Sequence, residues 1–184
     1  MEPTLWIVLG AVVVLCGWLM MTYNSLVQSR NRVDEAWSDI EVQTKRRYDL
    51  IPNIVETVKA YAKHEEGVFT KVAEARSVAM GAKTAAEHAA AENMLSSTLK
   101  SLFAVAEAYP SLQAAGNFMH LQTELSDAED KIQSARRFYN GNVRDFNTKV
   151  QVFPTNVIAG TFGFTKREFF DAPDVAAEPV QVKF

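Results

Sequence analysis

The chain has 184 residues, 48% of them hydrophobic, and a formal charge of −3 with acids and bases mixed along its length. That length suits one folded domain plus a terminal segment, and no basic block stands out that would neutralise phosphates, which argues against nucleic acid as a partner. The single cysteine, Cys16, lies inside an apolar run, so there is no framework of disulfides.

From Pro3 to Gln28 there is no charge, and Leu5–Tyr23 is almost wholly apolar. About 19 residues at a helical rise of about 1.5 Å cover about 28 Å, enough to cross a hydrocarbon core. Trp6 stands near one end and Trp18 and Tyr23 toward the other, where amphipathic rings favour the interface. Gly10 and Gly17 are two helical turns apart, a spacing that lets two anchors pack closely. A cleaved signal needs a basic n-region and a small-residue cleavage site; here the only early charge is Glu2, and no A-x-A follows. The sequence therefore predicts an uncleaved, single-pass anchor in the cell (inner) membrane. Arg30 and Arg32 follow the segment, then Lys45, Arg46 and Arg47, and no Lys or Arg precedes it. The positive-inside tendency puts the bulk of the chain in the cytoplasm.

After the anchor, Val33, Trp37, Ile40, Thr44, Arg47, Ile51, Ile54, Val58 and Tyr61 recur at alternating steps of four and three. This is a heptad seam of coiled-coil type. It keeps phase across Pro52, which predicts one helix kinked there and ending near Glu65-Glu66-Gly67; a full break with a loop is the alternative. A second pattern runs from about Val68 to Ala108 through Val72, Ala75, Ala79, Ala82, Ala86, Ala89, Leu95, Leu99, Leu102 and Ala106. Tyr109-Pro110 ends it, with Ser111 placed to cap the next helix. The third pattern is Phe118, Leu121, Leu125, Ala128, Ile132, Ala135, Tyr139, Asn142 and Phe146.

The predicted fold is all-α: an N-terminal transmembrane helix, then a long antiparallel three-helix bundle, then a short C-terminal aromatic tail. The corresponding segments are 1–23, 24–153 and 154–184. Helices of about 40 residues, or about 60 Å each, predict an up-down-up order. Tyr109-Pro110 then falls near the membrane and Val150 at the far tip beside Glu65. In the tail, Phe153, Val157, Ile158, Phe162, Phe164, Phe169 and Phe170 form an aromatic-rich cluster interrupted by Gly160 and Gly163. It either folds back over the core near Tyr61 and Phe69 or offers Phe162, Phe164, Phe169 and Phe170 as a docking surface. Asp171–Phe184, with Pro173 and Pro179, reads as an extended polar arm.

Four motifs in order carry a family resemblance: RRYDLIPNIVETVKAYAKHE, YPSLQAAGNFMHLQTEL, KIQSARRFYNGNVRDFN and FPTNVIAGTFGF. Together they closely resemble the LemA family over nearly the whole chain, from Tyr23-Asn24 through Phe170. The resemblance implies a membrane helix followed by a long helical bundle, and it implies little chemistry. Many members are lipoproteins; Leu15, where a small residue is wanted before Cys16, departs from that subset. The motif positions Arg46, Arg47, Asp49, Pro52, Asn53, His64, Glu65, Tyr109, Pro110, Arg136, Tyr139 and Asn140 are taken as structural.

Chemistry is hard to find. His64-Glu65-Glu66 lacks the second histidine of a zinc helix, since position 68 is Val, and His88 and His120 have no ligand-spaced partners. His64 and Glu65 suit a helix end instead. No phosphate loop, G-x-S-x-G elbow or Cys nucleophile occurs, so no catalytic residue, metal or cofactor is expected. Arg47 falls on the seam, where Arg46 or Arg47 is expected to pair with Glu87 or Glu129 and fix register; outward snorkelling is the alternative. Tyr139 is placed on its seam, and Arg136 and Asn140 toward a partner. The expected function is a non-enzymatic scaffold that self-associates at the bilayer, with a homo-oligomer as the main assembly. The alternative is an accessory protein that recruits a separate enzyme or sensor through the bundle tip and tail.

Overall fold

A computed structural model describes residues 3–170; the arm expected over Asp171–Phe184 lies outside the described residues. All regular elements among them are helices: α1 (Pro3–Tyr61), α2 (Glu66–Gly81), α3 (Ala85–Glu107), the single turn α4 (Pro110–Gln113), α5 (Gly116–Gln151) and α6 (Thr155–Thr161). They form two compact units. One runs to Ser38 and takes in Phe138–Arg167; the other is Asp39–Arg137 with the described residues 168–170.

The all-α architecture with a long apolar N-terminal helix is the one the periodicity predicts. The anchor and the first seam are one uninterrupted helix of 59 residues. Pro52 lies inside α1 and is exposed, so the break with a loop does not occur. A proline has no N–H to give the carbonyl four residues back, here Tyr48. Arg76 of α2 supplies the missing donor, its Nε lying 2.8 Å from that carbonyl. The helix passes through proline because a neighbouring helix satisfies what proline cannot.

The second predicted helix is two. After Gly81 the chain turns extended at Ala82, and Thr84 caps α3. The Thr84 hydroxyl accepts from Glu87 N at 3.1 Å, and the Glu87 carboxylate accepts from Thr84 N at 3.3 Å and Lys83 N at 2.8 Å. This reciprocal capping box satisfies the free donors of a helix start. It also resets the seam: Ala85, Ala89 and Ala91 are buried, while Ala82 is half-buried and Ala86 exposed. At the end of α1 the same kind of shift leaves Tyr61 exposed and Ala62 buried.

Within Asp39–Arg137 the contacts fix helix directions. Arg47 of α1 bonds Glu92 and Ser96 of α3, and Glu41 lies near His88, so these two helices run parallel. Ser96 meets Glu129, and Phe103 packs on Phe118 with centroids 6.3 Å apart, so α5 runs antiparallel to α3. The order is up-down-up-down, with α2 as the extra descending element, rather than up-down-up. The Tyr109-Pro110 turn, expected near the membrane, consequently lies at the same end of this unit as the α1–α2 turn. Pro110 opens α4 with Tyr109 at its N-cap, so Ser111 caps nothing there. Ile51, Ile54, Val58, Val72, Leu95, Leu99, Leu102 and Leu125 fill the core.

In the other unit α5 packs antiparallel on α1. Trp37 meets Tyr139 edge-on at 5.4 Å, and Lys149 Nζ donates to Ser25 Oγ at 3.0 Å and Ser29 Oγ at 2.6 Å. Val150, expected beside Glu65, therefore lies beside the start of the polar half of α1.

Candidate functional site

The described residues hold two unusual constellations, one in each unit. The first is a set of charges buried among the leucines of the bundle. Arg47 and Glu92 are both wholly inaccessible, and the guanidinium forks to two carboxylates: Nη2 donates to Glu92 and Nη1 to Glu129. Nη1 also donates to Ser96 Oγ at 3.1 Å. Tyr48 Oη donates to the second Glu92 oxygen. Arg136 Nη2 stands 4.0 Å from Glu92, and its guanidinium lies 4.6 Å from the centre of the Phe170 ring. Two arginines thus face two glutamates, with the hydroxyls of Tyr48 and Ser96 adding hydrogen bonds while Arg47 Nε makes none.

Burial pushes the Arg47 guanidinium below its usual range, and Glu129 acts against that. The Tyr48 phenol is pushed up by burial, with Arg47 opposing. Charges this far from water are tolerated only when paired and hydrogen-bonded, and here each carboxylate answers at least one guanidinium. A cleft of 280 Å³ beside Leu99, Phe103 and Leu125 reaches Ser96 and Glu129. Among the described residues no group of three His, Cys, Asp or Glu has metal-binding geometry.

Arg47 falls on the seam spacing, and Glu87 or Glu129 is its expected partner. The structure pairs it with Glu129 and also with Glu92, while Glu87 serves the capping box. Arg46 meets Glu124 at 3.4 Å on the surface, where an exposed pair contributes little. Arg136, expected to face a partner, is buried against Glu92 and Phe170. Asp49, Pro52 and Asn53 are exposed along one side of α1, His64 is exposed in the turn, and Asn140 is half-buried. Glu65 occupies the N-cap of α2 without a side-chain cap bond. Glu92 was missed although it falls three residues after Ala89 and three before Leu95, on the seam spacing. Tyr48 and Arg76 carry no sequence signal of their own.

The second constellation joins the end of the apolar half of α1 to the tail. Trp6 is exposed, a Cβ at Gly10 or Gly17 would meet nothing, and Trp18 and Tyr23 are a little over one-third exposed. Phe162 and Phe164, expected either over the core near Tyr61 and Phe69 or at a docking surface, pack against the end of the apolar half of α1. The Phe162 and Phe164 rings lie 4.9 Å and 5.9 Å from the Tyr23 ring, and Phe164 also faces Phe146 at 6.5 Å and Arg30 at 5.6 Å. Gly163 permits this: its φ of +73° suits glycine. Phe164 N can then bond back to Ala159 O at 2.9 Å, the pattern of a glycine-terminated helix. Asn147 straps the next few residues of the tail, exchanging two bonds with the Arg167 backbone at 2.9 Å and 2.8 Å, and Arg167 reaches Asp34 at 2.8 Å. Phe170 is fully buried and Phe169 half-buried.

A model of the LemA family matches residues 36–184, covering both the buried arginine motifs and the tail. The chain belongs to the LemA family. Among relatives, it is 25% identical over 196 residues to magnetosome protein MamQ 2 of Paramagnetospirillum magneticum, covering 92% of this chain and 72% of that one. Magnetosome protein MamQ of Magnetospirillum gryphiswaldense is 25% identical over 188 residues, covering 88% and 69%. Protein LemA of Metamycoplasma hominis is 26% identical over 156 residues, covering 83% and 70%. The stretch matched by the family model contains each ion-paired residue of the buried cluster, Arg47, Glu92, Glu129 and Arg136.

Proposed function

We propose that this LemA-family protein is a membrane-anchored helical scaffold that self-associates at the bilayer and carries out no reaction itself. The observation that carries the reading is the apolar half of α1, which is long enough to cross a membrane and of which no part is buried. Exposed leucine, valine and tryptophan side chains in such number need a non-aqueous environment. The same helix continues into the bundle without a loop. Relatives named as magnetosome proteins support a place at a membrane-bound structure. The basic residues after the anchor support a cytoplasmic bundle.

The test is the mass of full-length protein in nanodiscs. A discrete or large oligomer supports the scaffold, and a clean monomer overturns it. A second reading, recruitment of another protein, draws on a cleft of 390 Å³ beside the α2–α3 joint, whose rim carries exposed Val78 and Met94. Methionines adapt to varied apolar partners. Deleting residues 154–184 separates the two, since self-assembly weakens under the first reading and survives under the second.

A further inference from the structure

We infer that α6 and its flanking turns form a second membrane contact, lying in the interfacial layer of the same bilayer that α1 crosses. The inference rests on the anchor reading above and goes beyond it, since it assigns a lipid-facing role to a segment more than 120 residues away from the anchor in sequence.

Residues 150–165 contain no charged side chain, and they are bracketed by Lys149 on one side and Lys166-Arg167 on the other. Within that stretch Ile158, Ala159 and Phe164 are buried. Other apolar groups point out: Phe153 is 82% exposed, Phe162 61% and Val157 59%. Three large apolar groups held in the open on and around a seven-residue helix are an unpartnered surface.

The position of that surface identifies its occupant. Phe162 packs on Tyr23, and Tyr23 closes the apolar run of α1. An α1 that spans the bilayer puts Tyr23 at the depth where aromatic rings gather, and Phe162 comes with it. Lys149 is tied to Ser25 and Ser29, and Arg30 lies over Phe164, so cations flank the same level. Lysine and arginine at that depth reach headgroup phosphates while their stems stay apolar. A short uncharged helix with aromatic residues, bracketed by cations, suits the headgroup–acyl boundary.

Depth-dependent quenching tests this on the full chain in nanodiscs of phosphatidylcholine and phosphatidylglycerol. In a Cys16→Ser background, single cysteines at Phe153 and Val157 take an environment-sensitive fluorophore, and quenchers are carried near the headgroup or deep in the acyl chain. Val14→Cys reports the anchor, and Glu35→Cys, about 18 Å further along α1 than Tyr23, reports the aqueous side. The expected result is deep quenching at position 14, shallow quenching and blue-shifted emission at 153 and 157, and none at 35. Quenching at 14 with water-like emission at 153 and 157 overturns the proposal and leaves the anchor standing. Blue-shifted emission at 153 and 157 with no lipid quenching, together with disulfide crosslinks between copies, assigns the surface to a second copy and also overturns it. No quenching at 14 removes the anchor reading and this inference with it.

Discussion

In Asp39–Arg137 the side chains that break the usual rule are charged and inside; in the unit running to Ser38 they are apolar and outside. Arg47, Glu92 and Arg136 sit among leucines, whereas Phe153, Phe162 and the valines of early α1 face out. The two exceptions have different effects. Interior charge distinguishes one helix register from its neighbours, because only one alignment pairs every group. Exterior apolar surface specifies the surroundings the unit needs, because water is a poor solvent for it. One region defines its own structure, and the other defines its environment.

Substitutions in the full-length protein in mild detergent put this contrast to the test. The largest effect is expected at Arg47. Arg47→Ala takes the guanidinium from Glu129 and leaves Glu92 only the more distant Arg136, and breaking a buried pair costs about 3–5 kcal/mol. Arg47→Lys keeps the charge but loses the fork to two carboxylates, so its denaturation midpoint should fall between wild type and the alanine variant. Equal midpoints for all three would show that the buried pair does not hold the bundle.

Next comes the pairing of Pro52 with Arg76. Arg76→Ala strands the Tyr48 carbonyl and should cost about 1–3 kcal/mol. In a Pro52→Ala background that carbonyl regains its helical donor, so the same change should cost clearly less. A double-mutant cycle reads the difference, and additive losses would disprove the compensation.

A smaller effect concerns pH. Burial lowers the pKa of His88, with Glu41 and Glu87 acting against it. A histidine held more neutral when folded binds its proton more readily when unfolded. Its contribution is therefore fully present above the unfolded pKa of about 6.5 and is lost as pH falls through that value toward the lower folded one. Melting temperature should drop on acidification through this window, and His88→Gln should flatten that part of the profile. The smallest effect is on the other side of the comparison. Phe153→Ser touches a ring that is 82% exposed and should change stability by no more than about 0.5 kcal/mol, although it removes a whole aromatic ring.

How much was legible in the sequence depends on which forces act locally. The apolar run, the seam across Pro52 and the 36-residue α5 were plain, because each is a repeating signal summed over many turns. The α2–α3 break was legible too, as Thr84-Ala85-Ala86-Glu87, but the alanine run around it carries no phase strong enough to show a seam resetting. Missing that one joint removed a helix and reversed the direction of everything after it. The expected ends of α5 are therefore exchanged, and Phe162 and Phe164 pack at Tyr23 where Tyr61 is expected. Arg76 could not be found at all, since its partner is a backbone carbonyl exposed by a proline on another helix.

The ionic core of the bundle has a consequence for how such a sequence can change over generations. Two arginines and two glutamates balance only as a foursome, and any single step away from them passes through a molecule with a stranded charge. These positions should accordingly be inherited as a block, drifting together or standing still while the leucines around them interchange freely. A coordinated reversal, with acids and bases trading places across the helices, would give a bundle of the same shape whose segments no longer fit those of its ancestor.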